Sequence, residues 1–327
     1  MSDVAVAGIR ARSIAPVAAT GTASRQVLAA EVLQGAEAYE ALLPEWKRLA
    51  ELQPGTSLFQ TPSLLSTWAR HFACGRAARL TTVVLRHAGQ PVLIWPLFIE
   101  RRALVRIARG AGVPISQYDE ILVDPAIDKK AAFAAALDAL RETVRPDLVL
   151  LEGVRADSAL RAALRDVSPI GCGDAAPNID LSQGLAVALA MRKPYAAKQQ
   201  RKRMKRFIKA GKSTVTIASS PAEAEAWLVE ALTLKRNWLR STGRLSRAFV
   251  KAETGNCLAG LARALSHPSA SPRMVVAKLS LDGRTAAIEV GFVHRGAFQL
   301  YLRAFAPEFA SLGPGNVLTE RNLSGRA

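Results

Sequence analysis

Between Arg25 and Ala50 the apolar pattern changes from a short strand alternation to a helical one. Leu42, Trp46 and Leu49 fall at i, i+4 and i+7 and predict a shared buried face. A loop at Gln53-Pro54-Gly55 follows. Thr61-Pro62 then reads as a cap with proline at the first helical position, ahead of a stripe of Leu64, Leu65, Trp68 and Phe72. Two apolar runs, Leu80–Arg86 and Pro91–Ile99, flank His87-Ala88-Gly89-Gln90 and predict a hairpin. Further strands are expected at Leu104–Ala108 and Glu120–Val123. The alanine-rich stretch from Asp128 to Val144 predicts a helix that Pro146 terminates. Asp147–Val154, whose Leu148-Val149-Leu150-Leu151 lacks polar alternation, predicts a buried strand.

The stretch from Arg192 to Lys212 differs in kind. It carries ten basic residues and no acid, with Met204, Phe207 and Ile208 as a narrow apolar stripe and Gly211 where a helix would end. It predicts a basic amphipathic helix lying between two halves of the chain. The second half opens on Ser220-Pro221-Ala222-Glu223, a capping box. The helix it starts carries Trp227, Leu228, Ala231, Leu234 and Trp238 and should end at Gly243. A further helix fits Cys257–Ser266. Three strands follow, Met274–Leu281, Thr285–His294 and Phe298–Phe305, joined by tight turns at Asp282-Gly283 and Arg295-Gly296. Last comes Ser311 to Glu320, a glycine loop running into a helix start. The fold class expected is α/β of the α+β kind, mixed sheets flanked by helices. The expected divisions are a disordered tail over 1–26 (a transit peptide being the other reading), a first domain over 27–182, the basic helix and connector over 183–218, and a second domain over 219–327.

Composition narrows the partners more than the fold. The 327 residues are 50% hydrophobic and 22% charged, as globular chains are, but the net charge is +17. That excess favours an anionic partner: a phosphorylated cofactor, a nucleic acid, an acidic glycan or a membrane surface. Cys74, Cys172 and Cys257 are odd in number and have no metal-ligand spacing, which argues against a disulfide framework and for a reducing, cytoplasmic setting. No apolar run approaches the roughly 18 residues of a membrane span. No metal is expected.

The candidate chemistry lies after the meander. A helix start offers amide N–H groups without intrahelical partners and a partial positive charge, and the glycines of Gly313-Pro314-Gly315 would let a ligand approach the backbone. Together these suit a pyrophosphate, although a plain turn also explains two glycines around a proline. In this order of features the chain resembles the GNAT acyltransferases, specifically the CelD-like bacterial group related to Fem-type aminoacyl transferases. Carrying the resemblance are Phe59-Gln60-Thr61-Pro62 with Trp68, Pro91–Pro96, Ser116-Gln117-Tyr118-Asp119, the basic helix, Gly291–His294, and Phe305–Phe309 before the glycine loop.

The resemblance implies tandem GNAT-like halves with acetyl-CoA or another acyl-CoA as co-substrate. It implies that the strand carrying Tyr301, Leu302 and Phe305 pairs with the pantetheine arm, and that Gly313, Gly315 and Asn316 hold the pyrophosphate. Ala310 stands where such loops commonly have Gln or Arg. The family continues past this helix with further strands, so the second half is expected to be incomplete at its C-terminus. The acceptor implied is an amine or hydroxyl of a sugar-like molecule in envelope polysaccharide biosynthesis. A catalytically incomplete binding module for anionic glycan or RNA, and a Fem-type aminoacyl transferase, are the alternatives.

GNAT chemistry needs a base and carbonyl polarisation. Glu289, mid-strand among apolar residues, is the candidate base, with Arg303 either its catalytic companion or its salt-bridge partner. Tyr118 and Asp119 match a substrate loop of the first half, or cap a turn. His71 and His294 are assigned no chemistry, and Trp46, Trp68, Trp227 and Trp238 are read as core. The basic helix is a solvated face, a surface for an anionic glycan or lipid-linked substrate, or, least favoured for want of aromatics, a nucleic-acid site.

Overall fold

The computed structural model describes residues 12–18, 27–53, 55–73, 80–170 and 175–324. Cys74 and Cys172, and most of the segment read as a tail, lie outside the described residues. The chain divides into two compact units, Met1–Ser168 and Pro169–Ala327.

The first unit contains β1 (Arg12–Ala18), β2 (Val27–Gln34), α1 (Ala36–Leu52), α2 (Pro62–Phe72), β3 (Leu80–His87), β4 (Gln90–Arg102), β5 (Val105–Gly110), β6 (Leu122–Val123), α3 (Lys129–Thr143), β7 (Leu148–Leu150) and α4 (Ala159–Ala163). Its sheet runs β1-β2-β3-β4-β5-β7, with β6 also on β4. The hairpin forms because Ala88 and Gly89, both at positive φ, give the two-residue turn whose twist suits the flanking strands. Leu42, Trp46 and Leu49 are buried as their spacing predicts.

Three expectations for this unit are corrected. Arg12–Ala18, inside the expected tail, is a strand antiparallel to β2. Thr61 precedes α2, but its hydroxyl donates to Leu58 O at 2.6 Å and caps no helical amide. The strand expected over Asp147–Val154 shrinks to three residues and is not buried, because β7 is an edge strand paired in parallel with β5 alone.

The second unit contains α5 (Leu185–Ala190), α6 (Pro194–Lys209), β8 (Ser213–Ile217), α7 (Pro221–Ser241), α8 (Arg247–Val250), α9 (Ala252–Leu265), β9 (Arg273–Leu281), β10 (Arg284–His294), β11 (Ala297–Phe305) and α10 (Pro314–Ser324). Its antiparallel sheet runs β11-β10-β9-β8. Asp282-Gly283 and Arg295-Gly296 make the turns through positive φ at both residues. Ser220 Oγ accepts from the Glu223 amide at 3.2 Å, and the Glu223 carboxylate accepts from the Ser219 amide at 2.7 Å, closing the expected box one residue earlier than its usual form.

The basic helix is not a connector. Phe207 is 0% exposed and packs with Ala277, Leu279, Ala287, Val317 and Leu318, with Met204 beside it, whereas Ile208 is exposed. Gln200 Nε2 donates to Asn316 O at 3.2 Å, and Arg192 pairs with Glu320 at 2.7 Å. α6 is therefore fastened to α10 and to the sheet of its own unit. β8, which follows it, adds a fourth strand where only a connector was expected.

Candidate functional site

The second unit brings a strand pair, a glycine turn and two helices to one place. Glu289 on β10 stands opposite Arg303 on β11 in the antiparallel register. The two side chains do not form a direct ion pair. Glu289 is 1% exposed, and each of its oxygens is taken by α10: Oε2 accepts from the Thr319 hydroxyl at 2.6 Å and Oε1 from Asn322 Nδ2 at 2.8 Å. Three positions apart on the helix, Thr319 and Asn322 share the face that meets the sheet. A buried carboxylate is costly unless it is hydrogen-bonded, and these donors supply that bonding.

Arg303 reaches the same hydroxyl from outside: its Nη1 donates to Thr319 Oγ1 at 3.1 Å. A guanidinium, a hydroxyl and a carboxylate thus form a chain from the exposed rim to the buried sheet. The ion pair expected between Arg303 and Glu289 is present only through Thr319, a residue the sequence pattern did not single out. Glu289 faces the helix rather than an open cleft.

The glycine turn is flanked by two arginines. Gly313 has φ +62 and closes the 3-10 turn over Pro307–Leu312. A Cβ at Gly313 would lie 2.8 Å from Arg203 Nε, and one at Gly315 would lie 2.9 Å from Arg303 Cδ. Arg203 comes from α6, where its Nη1 donates to Gln200 Oε1 at 2.5 Å. Two cations at the N-terminus of a helix are badly placed for the helix dipole unless an anion joins them. The backbone offers less than the sequence suggested. Pro314 has no N–H, the Gly313 amide donates to Ala310 O, and the Asn316 and Val317 amides donate to Gly313 O. Gly315 is the one early position whose amide takes no part in these bonds, so the guanidiniums are the main donors.

β11 is the edge strand beside this turn. Val290 pairs with Leu302 and Gly291 with Leu300, which leaves Tyr301 as the extra residue of a β-bulge. Tyr301 is half-buried and stacks edge-on with Phe292 at 5.6 Å, and burial pushes its phenol pKa up. Leu302 is buried, and Phe305 packs beside the Phe207 core.

Tyr118 and Asp119 belong to the first unit. Asp119 is 5% exposed; its Oδ2 accepts from the Glu152 amide at 2.6 Å, and its own amide donates to Glu152 O at 3.0 Å. Burial pushes its pKa up to about 7, with the Glu152 charge adding to the rise and the Glu152 amide and Arg109 opposing it. Gly110 is obligatory beside it, since a Cβ there would meet Asp119 Oδ1 at 2.0 Å. Arg109 pairs with Glu152 across the same cluster. Tyr118 is half-buried, edge-on to Phe59 at 6.0 Å with the Arg155 guanidinium 5.8 Å from its ring centre. Asp119 thus ties two loop segments together, and Tyr118 remains partly accessible.

Trp46 and Trp68 are core, as expected. Trp227 and Trp238 are only half-buried and carry cations on their rings, Lys278 at 4.5 Å and Lys235 at 4.3 Å. Among the described residues no group of three or more His, Cys, Asp or Glu could hold a metal ion, and no helix is long and apolar enough to cross a membrane.

A strand meander, a glycine turn and a helix start flanked by guanidiniums thus lie together in the second unit. Residues 196–323 match the acetyltransferase (GNAT) domain family, and the match begins inside α6. Among solved structures the chain is similar to FemX, at 11% identity over 86% of this chain and 83% of that one, with a TM-score of 0.55. It is also similar to a tandem GNAT protein from the clavulanic acid biosynthesis pathway, solved without AcCoA, at 14% identity over 90% and 85% with a TM-score of 0.44. No curated protein matches it in sequence. The likeness to FemX shows a shared mixed α/β fold.

Proposed function

We propose that the second unit is an acyl-CoA-dependent acyltransferase module whose acceptor is an amine or hydroxyl of an anionic or sugar-like molecule. Acetyl-CoA or a longer acyl-CoA is the donor. The observation that carries this is the pair of arginines, Arg203 and Arg303, lying against Gly313 and Gly315 at the first turn of α10. Their charge suits the donor's pyrophosphate, and edge strand β11, which carries Tyr301, Leu302 and Phe305, suits its extended arm. In the reaction the acceptor nitrogen or oxygen bonds to the acyl carbon, the C–S bond breaks, and the sulfur leaves with the acceptor's proton.

Arg303 then belongs to the anion-holding end, and Glu289 positions it through Thr319. Tyr118 and Asp119 are proposed to contact acceptor within the first unit, which ends at Ser168, and the acyl-CoA module is the second unit, which includes the basic helix. A cytoplasmic setting in envelope polysaccharide biosynthesis, and the CelD-like subgroup, complete the reading. Calorimetric titration with acetyl-CoA and a longer acyl-CoA at two salt concentrations tests it; micromolar, salt-weakened binding is expected, and no binding to either overturns it.

One observation favours a second reading. Glu289 is covered and both of its oxygens are hydrogen-bonded, so this carboxylate does not stand open beside the turn. A binding module for acidic glycan or RNA, without thioester cleavage, accommodates that; a Fem-type aminoacyl transferase accommodates the shared fold with FemX. Acyl-CoA turnover against salt-sensitive RNA capture separates them.

A further inference from the structure

α5 and α6 place two unlike surfaces next to one another in the chain. α5 is Leu185-Ala186-Val187-Ala188-Leu189-Ala190, apolar throughout, yet none of its residues is buried. Val187 is 46% exposed, and Met191, four positions on, is 82% exposed. Arg192 comes next, and its pair with Glu320 holds the joint between the two helices to α10. On α6, Gln200, Arg203, Met204 and Phe207 take the side turned to α10 and the sheet. The opposite side carries Tyr195, Lys198, Lys202, Lys205 and Lys209, spaced three and four apart, so that they line up along the helix. Arg201 and Arg206 flank the row, and all of these side chains are exposed. Their alignment is what sets them apart. Like charges four positions apart on a helix repel, and no carboxylate occurs between Arg192 and Lys212 to offset them.

We propose that the lysine row of α6 and the apolar α5 together dock on the surface of an anionic lipid bilayer. The two surfaces ask different things of a partner. The aligned cations call for a dense field of negative charge, which anionic headgroups provide. α5 calls for a medium that takes Val187 and Met191 out of water, which the acyl boundary beneath those headgroups provides. A nucleic acid or an acidic glycan would meet the lysines and leave α5 in water. Tyr195 is the one aromatic on the row and stands at its end, so the face offers no series of stacking platforms for bases. A second copy of this chain, itself at +17, could cover α5 but would be repelled by the lysines. α6 does not itself sink into the bilayer, because its apolar stripe already packs in the core of its own unit. It lies at headgroup level, where lysine stems extend to phosphates and a tyrosine ring is well placed.

This docking does not depend on the acyl-CoA reading, since Arg203 lies on the other side of α6, against Gly313. Co-sedimentation of the full chain with vesicles tests it, using phosphatidylcholine alone and phosphatidylcholine mixed with phosphatidylglycerol. Three combined variants accompany the parent. One changes Lys198, Lys202, Lys205 and Lys209 to Gln, and another changes Val187 and Met191 to Ser. The third, a charge-matched control, changes the exposed Lys47, Arg48, Arg101 and Lys251 to Gln. Circular dichroism checks that each keeps its fold. Binding to the anionic vesicles alone is expected, weakened by salt and weakened tenfold or more in each of the first two variants but not in the control. No binding of the parent to anionic vesicles overturns the proposal. So does equal loss in the control, which reduces the row to general surface charge. Unchanged vesicle binding in the Val187/Met191 variant also overturns it, because a plain polyanion face would behave that way. RNA capture that the lysine variant loses, with no vesicle binding by the parent, replaces the membrane by a nucleic acid.

Discussion

The Thr319 hydroxyl donates to Glu289 Oε2 at 2.6 Å while accepting from Arg303 Nη1 at 3.1 Å, so one hydroxyl joins a buried carboxylate to an exposed guanidinium. Thr319→Val leaves one carboxylate oxygen unsatisfied in the interior. The expected loss is about 1–3 kcal/mol in urea unfolding. Thr319→Ser, which keeps the hydroxyl, should recover most of it. If Glu289 only positions Arg303, Thr319→Val also weakens acyl-CoA binding; a base acting through Thr319 would show instead as a fall in kcat with KM unchanged.

Removing the guanidiniums should act on binding and leave stability alone. Arg203→Ala and Arg303→Ala are each expected to raise the acyl-CoA Kd about tenfold, a loss of about 1.4 kcal/mol. The effect should shrink at high salt as screening grows. Calorimetry at two ionic strengths checks both points.

Phe207 and Lys202 lie on the same helix and should separate its two faces. Phe207→Ala opens a cavity in the core and should cost about 3–5 kcal/mol in denaturant unfolding. Lys202→Ala, on the exposed face, should change stability by less than about 0.5 kcal/mol. Equal and small effects would mean that the basic helix is not an integral part of the second unit.

Asp119 gives the first unit a pH dependence. Its folded pKa of about 7 stands above the ordinary aspartate value near ~3.9, so the folded chain holds the proton better than the unfolded one. That stabilisation is complete below the unfolded value and is lost as pH rises toward about 7. Glu120, also raised by burial, acts in the same direction. Stability in urea unfolding should therefore fall from pH 5 to pH 8. Asp119→Asn should flatten the profile.

Much of this architecture was legible in local pattern. The three strands of the second meander, the turns at Asp282-Gly283 and Arg295-Gly296, and the helix starts at Pro62 and Pro221 depend on neighbours in sequence, through side-chain alternation, positive φ and terminal amides. The hairpin of β3 and β4 is of the same kind. Glu289 could be singled out because a lone carboxylate in an apolar strand demands a partner.

Which partner it has is a long-range matter. Thr319 and Asn322 lie about 30 residues away and look like ordinary helix positions until α10 packs on β10. The roles of Arg203 and Trp238 were likewise hidden, because a basic run and a helical tryptophan look the same whether they face solvent, core or a turn. Leu148–Leu150 reads as buried by composition, yet its edge position leaves it half covered. Most strands, helices and turns are readable from amino-acid order because they depend on groups a few bonds apart. Which charges are paired and which face an anion site depends on distances between elements, such as Arg303 to Thr319 and Arg203 to Gly313, that no local pattern sets.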